Sequence, residues 1–234
     1  MNFYGFKKTT LIDFPGKIAC TVFTHGCNFR CPFCHNPELV TGKPKRSEAV
    51  SEKEILQFLG KRKGRLDGIV FTGGEPLLHT DMLIPLLRKI KALGFLVKID
   101  TNGTFPEDLE MLAAKKLVDF IAMDFKTQPE RYSAMGASTQ DIEKVLMSLE
   151  FLSSHTLQHE IRTTLVPGIH TEDIIKKLVS VIPPQNTYVL QNFVPNGTID
   201  PSFKSVKPFP SEHMRAFLAI ALNVLPKAIL RDQQ

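Results

Sequence analysis

Tryptophan is absent from this 234-residue chain, tyrosine occurs three times, and cysteine only four times. No apolar run approaches the roughly 20 residues that a membrane-spanning helix needs. The opening MNFYGFKKTTLIDFPGK lacks a basic stretch followed by an apolar one, so no export signal is expected. A cytoplasmic, reducing setting follows as the expectation, and clustered cysteines there suggest metal ligands or catalytic thiols before disulfides. Charge is also scarce in net terms: 29 Lys+Arg against 24 Asp+Glu leave +5. That permits an acidic partner without requiring one. The basic residues are dispersed, which argues against a nucleic-acid-binding module. Repeats and low-complexity tracts are missing too. The 43% hydrophobic content suffices for one core, so a single domain over 1–234 is expected.

What is present alternates. Apolar runs of strand length lie at 18–23, 68–71, 95–99, 118–125, 161–166 and 187–193. Helical periodicity fills the gaps at 51–61, 81–94, 106–116, 141–154 and 171–182, and a last helix spans 211–225. Ser51 and Glu54 form a capping box, Gly94 ends the second helix, and Pro106 opens the third. Six strands alternating with helices predict an α/β fold with parallel strands and right-handed crossovers. Six units are too few to close an eight-stranded barrel, so a doubly wound sheet and an open partial barrel both fit. In either, ligands gather at the carboxyl ends of the strands. Polar groups fall there repeatedly: Cys27, Gly73–Glu75, Asp100–Asn102, Asp124–Lys126 and Asn192.

Three of the four cysteines crowd into Cys27-Asn-Phe-Arg-Cys31-Pro-Phe-Cys34-His35. Structural zinc on Cys27, Cys31, Cys34 and His35 is one reading, but adjacent ligands at 34 and 35 are awkward around one tetrahedral ion. Cys31-Pro-Phe-Cys34-His35 is also a literal haem-attachment string, which leaves Cys27 idle. The third reading is an iron–sulfur cluster with one iron left without a protein ligand. Cys20 lies inside the first strand and is read as a small buried apolar residue.

Cys27-x₃-Cys31-x₂-Cys34, with Phe33 before the last cysteine, resembles the radical S-adenosylmethionine (SAM) enzymes. Phe71-Thr-Gly73-Gly74-Glu75-Pro76 resembles that family's second motif. The resemblance implies a partial (β/α)₆ barrel, with a [4Fe–4S] cluster on Cys27, Cys31 and Cys34 in a loop over 25–37. It further implies that SAM occupies the fourth iron. Within that family the chain most resembles the glycyl-radical-enzyme activases, in particular those of anaerobic ribonucleoside-triphosphate reductase. The residues that carry this are 8–40, above all Asp13-Phe-Pro-Gly16 and Cys34-His35-Asn36. Asp100-Thr-Asn102-Gly103, Met123-Asp124-Phe-Lys126, and Arg162 followed by Val166-Pro-Gly168 add to it.

The implied chemistry is reductive cleavage of SAM and removal of a hydrogen from a glycine α-carbon of a partner enzyme. The implied roles follow from the motifs. Gly73, Gly74 and Glu75 meet the methionine moiety, Phe33 packs by the adenine, and Asp100 and Asn102 face SAM. Asp124 and Lys126, alternating along an extended segment, share one face and could grip the amino-acid end. Arg162 suits a carboxylate or ribose contact, Asn192 a ribose or adenine contact, and Asp13 the ordering of the incoming glycine. For each, an ordinary ion pair or turn is the plainer alternative. His25 and His35 flank the cluster loop and could bond a sulfur; His79 reads as solvated or capping. Lys43–Arg46 and Lys61–Arg65 read as solvated charge or a face for an acidic partner.

The segment 35–67 holds no cysteine, so no auxiliary cluster domain is expected and flavodoxin or ferredoxin should supply the electron. Other possible partners are pyruvate formate-lyase or another glycyl-radical enzyme. A small-molecule radical SAM enzyme, such as a deazapurine synthase, and a zinc-dependent nucleic-acid module are the competing readings.

Overall fold

The computed structural model describes residues 2–42, 49–195 and 197–231. The basic tract Lys43–Arg46 lies outside the described residues. In chain order the strands are β1 (Asn2–Phe3), β2 (Phe6–Thr10), β3 (Ala19–Thr24), β4 (Val50–Ser51), β5 (Gly68–Gly73), β6 (Leu96–Thr101), β7 (Phe120–Asp124), β8 (Gln158–Leu165), β9 (Tyr188–Asn192) and β10 (Ala228–Arg231). The helices are α1 (Pro37–Val40), α2 (Glu52–Lys61), α3 (Thr80–Ala92), α4 (Pro106–Ala114), α5 (Thr139–Ser154), α6 (Glu172–Val179) and α7 (Ser211–Leu222). All six expected strands and all six expected helices are present.

Local chemistry explains the boundaries. Ser51 Oγ accepts from Glu54 N–H at 3.3 Å, and Glu54 Oε2 accepts from Ser51 N–H at 2.8 Å, so the expected capping box starts α2. Ser138 and Asp141 make a second box, which starts α5 two residues before the expected position. Gly94 takes φ +90° just beyond α3, where a side chain would be strained. The strands not expected from the sequence are β1, β2, β4 and β10; β1 and β4 have only two residues each, and β10 is the four-residue AILR. β2 reads FKKTT and exposes its three central residues, as an edge strand does.

The chain divides into two compact units. The first comprises Met1–Asn28, Glu38–Thr101 and Glu107–Ile121. Its strands run in the order β6-β5-β3-β2, parallel except for β2 against β3. Register sets Thr24 beside Gly73 and Phe71 beside Ile99. Phe3, Ile55, Leu59, Phe71 and Leu87 are fully buried in it. The second unit comprises Phe29–Pro37, Asn102–Pro106 and Ala122–Gln234. Its strands run β10-β9-β8-β7, and the β8–β9 and β9–β10 pairs are parallel. Tyr132, Tyr188, Phe125 and Phe193 are fully buried there. Bidentate pairing of Arg231 with buried Glu160, at 2.7 Å twice, ties β10 to β8. The fold is α/β, with an open and mostly parallel sheet, as the partial-barrel expectation requires.

Candidate active site

In the first unit the two glycines at the end of β5, Gly73 and Gly74, lie against the segment that leads to Cys27. Gly73 has φ +115°, and an added Cβ would stand 2.5 Å from the Thr24 carbonyl oxygen. At Gly74 an added Cβ would stand 1.9 Å from the Gly26 oxygen. Only glycine admits this approach. Hydrogen bonds then fasten the two segments: Gly74 N–H to Thr24 O at 3.0 Å, and Glu75 N–H to Gly26 O at 2.7 Å. Gly26 N–H also donates to Leu39 O at 2.8 Å.

The flanking histidines serve the same loop. His79 Nε2 donates to the His25 carbonyl at 2.7 Å, and His25 Nε2 donates to Gly42 O at 2.9 Å. His79 stands at the N-cap position of α3, as the sequence reading allowed, but its half-buried ring bonds the His25 carbonyl and not the helix. A fifty-four-residue separation hides that pairing from any local pattern.

Glu75 is buried, and its Oε1 accepts from Thr101 Oγ1 at 2.8 Å and Leu77 N–H at 3.1 Å. Asp100 pairs with Lys98, two residues earlier on the same face of β6. Lys98 is 1% exposed and its ammonium lies 6.0 Å from the Phe120 ring centroid. Sequence reasoning passed over Lys98, although one lysine inside an apolar strand run was a visible signal. Asp13 accepts from Thr21 Oγ1 at 2.6 Å.

In the second unit Asp124 sits between two cations. Its Oδ1 accepts from Arg162 Nε and its Oδ2 from Lys126 Nζ, each at 2.9 Å. Burial pushes the Asp124 carboxyl up, but Arg162 and then Lys126 hold it well below the usual carboxylate range. Burial likewise disfavours the Lys126 ammonium, yet Asp124, followed by Cys31 and Cys34, holds its pKa well above the ordinary lysine value. Lys126 therefore stays charged, paired with Asp124.

Cys31 and Cys34 belong to this unit and Cys27 to the first. Among the described residues, no three His, Cys, Asp or Glu groups are gathered as a metal site. Cys20 is fully buried, and burial pushes its thiol up to about 12, which matches the inert role expected of it. His35 Nε2 is buried without a hydrogen-bond partner, and burial, then Lys126, lowers its pKa. Phe33 is buried and its ring lies 6.4 Å from that of Phe203. Asn102 Oδ1 accepts from both Thr104 N–H and its hydroxyl. Asn192 is committed to the Phe209 backbone, donating at 2.7 Å and accepting at 3.1 Å.

His170, missed in the sequence, is 2% exposed; burial, aided by Arg131, lowers its pKa to about 4 against two backbone hydrogen bonds that raise it. A histidine held neutral when folded but titrating near 6.5 when unfolded stabilises the fold above that value. The contribution fades as pH falls from 6.5 to about 4, by up to about 3 kcal/mol. Denaturation midpoints between pH 7 and 4.5 should therefore fall more steeply in the wild type than in His170→Gln. Equal slopes would remove His170 from the acid sensitivity.

The Radical SAM superfamily matches residues 21–178. A Methanocaldococcus jannaschii protein that carries the name glycyl-radical enzyme activating enzyme is 34% identical, covering 97% of this chain and 94% of its own length. The pyruvate formate-lyase-activating enzyme of Clostridium pasteurianum is 30% identical over 76% of this chain and 75% of its own. In fold, Streptococcus suis SuiB bound to S-adenosylmethionine aligns with a TM-score of 0.64 at 16% identity, over 90% of this chain and 49% of that one. The chain belongs to the radical SAM superfamily and, within it, to the glycyl-radical enzyme activating enzymes. That superfamily works with a [4Fe–4S] cluster and S-adenosylmethionine. The donor chemistry here fits them: three soft thiols in one short loop, a buried imidazole nitrogen lacking a partner, and a persistent cation at Lys126. Among the described residues no helix is long and apolar enough to cross a membrane.

Proposed function

We propose that Cys27, Cys31 and Cys34 hold the cluster and that the chain activates an anaerobic ribonucleoside-triphosphate reductase. The observation that carries the site assignment is the crowding of three thiols into one short loop, Cys27-x₃-Cys31-x₂-Cys34, with the Arg162–Asp124–Lys126 ion network in the unit that holds two of them. When bound, the reduced cluster and S-adenosylmethionine supply a deoxyadenosyl radical that takes hydrogen from a partner glycine. Lys126 offers an ammonium to the amino-acid carboxylate, and Arg162 holds Asp124 ionised beside it. Gly73 and Gly74 bring backbone close to the methionine, while Glu75, fixed by Thr101, offers a carboxylate to its amino group. Asp100, held by Lys98, and Asn102 line the approach to S-adenosylmethionine. Phe33 shields the adenine, and Asp13 orders the incoming glycine loop. Asn192, spent on Phe209, would shape the rim and leave ribose contact to its neighbours. Flavodoxin or ferredoxin supplies the electron, since the chain has no cysteines for a second cluster.

Support for the reductase comes from the likeness of residues 8–40 to its activases. A second reading, activation of pyruvate formate-lyase, is favoured by the Clostridium relative. Electron paramagnetic resonance separates them. The anaerobic, cluster-loaded chain is mixed with S-adenosylmethionine, reductant and each candidate partner in turn. A glycyl radical on the reductase alone is the expected result; a radical on the lyase alone overturns the partner. Alanine at Cys27, Cys31 or Cys34 should remove the cluster signal and cut cleavage by more than about a thousandfold, or about 4 kcal/mol. Alanine at Cys20 should change neither.

A further inference from the structure

We infer that Tyr132 and His170 are positioning residues that aim Lys126, an inference that rests on the proposed grip of Lys126 on S-adenosylmethionine. Lys126 lies two residues beyond the end of β7. Buried side chains take its backbone polar groups instead. Lys126 N–H donates to Tyr132 Oη at 3.0 Å. His170 Nε2–H donates to the Lys126 carbonyl at 3.0 Å. Both clamping residues are at most 2% exposed.

The tautomer of His170 is set by its second bond. Val166 N–H donates to Nδ1 at 2.9 Å, so the proton must sit on Nε2 and point at Lys126. His170 N–H in turn donates to Val166 O at 2.9 Å, which closes the turn that carries the ring. The preceding peptide is held in the same way. Thr163 Oγ1 donates to Phe125 O at 2.6 Å while accepting from buried Tyr188 Oη at 2.9 Å. Phe125 N–H donates to Arg162 O at 2.8 Å.

Lysine is a long side chain with several rotatable bonds, so its ammonium is well placed only if its base is fixed. The ion pair with Asp124 fixes one end, and the clamp fixes the other. Neither Tyr132 nor His170 lies within a cofactor motif, and both come from different elements: the 3₁₀ turn Pro129–Met135 and the loop between β8 and α6. Their shared target gives them a role beyond packing. The Tyr132 ring also packs edge-to-face on Phe29 and at a tilt on Phe125, so it keeps its place when only the hydroxyl is removed.

The test is S-adenosylmethionine affinity of the anaerobic, cluster-loaded chain, measured by calorimetry for Tyr132→Phe, His170→Leu, His170→Gln and Lys126→Met. Tyr132→Phe and His170→Leu should each weaken binding about tenfold, and His170→Gln, which restores an N–H donor, should recover most of it. In a Lys126→Met background the losses should vanish, because no ammonium remains to be aimed. Should His170→Leu fail to fold, Tyr132→Phe carries the comparison alone. Unchanged affinity in Tyr132→Phe, or a tenfold loss that persists without Lys126, overturns the inference. If Lys126→Met itself binds normally, the grip reading fails first, and that outcome is distinct from failure of the clamp alone.

Discussion

Replacing Gly74 with alanine is expected to abolish S-adenosylmethionine cleavage and to cost more than about 4 kcal/mol of stability. The added methyl would stand 1.9 Å from the Gly26 oxygen, 2.7 Å from its carbonyl carbon and 3.1 Å from its nitrogen. All three are backbone atoms, so no side chain can swing aside. The same oxygen accepts the Glu75 N–H, so pushing it away also breaks that bond. Cys27 is the next residue along and would move with it. A merely crowded core position would cost stability and leave chemistry intact; here both should fail together. Gly60→Ala is the control: its Cβ would meet nothing within 4 Å, in the last turn of α2. Helix propensity predicts a gain of about 0.5–1 kcal/mol there. Iron content, cleavage rate and denaturation midpoint read out the pair, and a Gly74→Ala protein with normal iron and rate would refute the backbone argument.

Asp124→Asn is expected to destabilise by about 3 kcal/mol and to weaken S-adenosylmethionine binding at least tenfold. The substitution preserves shape, so the loss is electrostatic. Asp124 separates the Arg162 guanidinium from the Lys126 ammonium, with side chains only 12% and 19% exposed. An amide leaves the two cations facing one another with no negative charge between them. The pH dependence has a definite sign. The Asp124 value is depressed in the fold, so its contribution is complete above the ordinary carboxylate pKa and disappears as pH falls through the native one. The Lys126 value is raised, so its contribution holds below the ordinary lysine pKa and is lost only in strong base. Between those limits the gap between wild type and Asp124→Asn should be flat. A gap that closes at neutral pH, or an unchanged midpoint, would show that Asp124 is not the hub of the network.

Strands β3, β5, β6, β7 and β9 were legible because each carries a run of buried apolar residues, and β8 because buried and half-buried residues alternate from Ile161 to Leu165. β2 was not, because an edge strand that exposes Lys7, Lys8 and Thr9 looks like a loop. The ends of strands were legible as a rim of polar groups, which is how Asp124, Lys126 and the two glycines were found. What the sequence could not carry is the partner of each group. Asn192 was legible as a candidate ligand residue, but not that its amide bonds Phe209, seventeen residues on. His170 and Tyr132 bond the backbone of Lys126, and a contact between a side chain and a distant peptide leaves no periodic trace. Lys98 is the intermediate case. Its position two residues before Asp100 was readable, but only the burial of its ammonium shows that the pair is a fixed unit.

Cys20 is the one thiol outside the Cys27–Cys34 loop, and it is sealed within β3. Among thiols, the folded chain has no exposed bystander. An oxidant or a mixed-disulfide donor that meets this protein finds a thiol only at Cys27, Cys31 or Cys34, the residues on which its activity would depend. Thiol oxidation is thereby confined to the three cysteines proposed to hold the cluster, while the exposed Met82 and Met147 stay open to sulfoxidation, a separate lesion with its own repair.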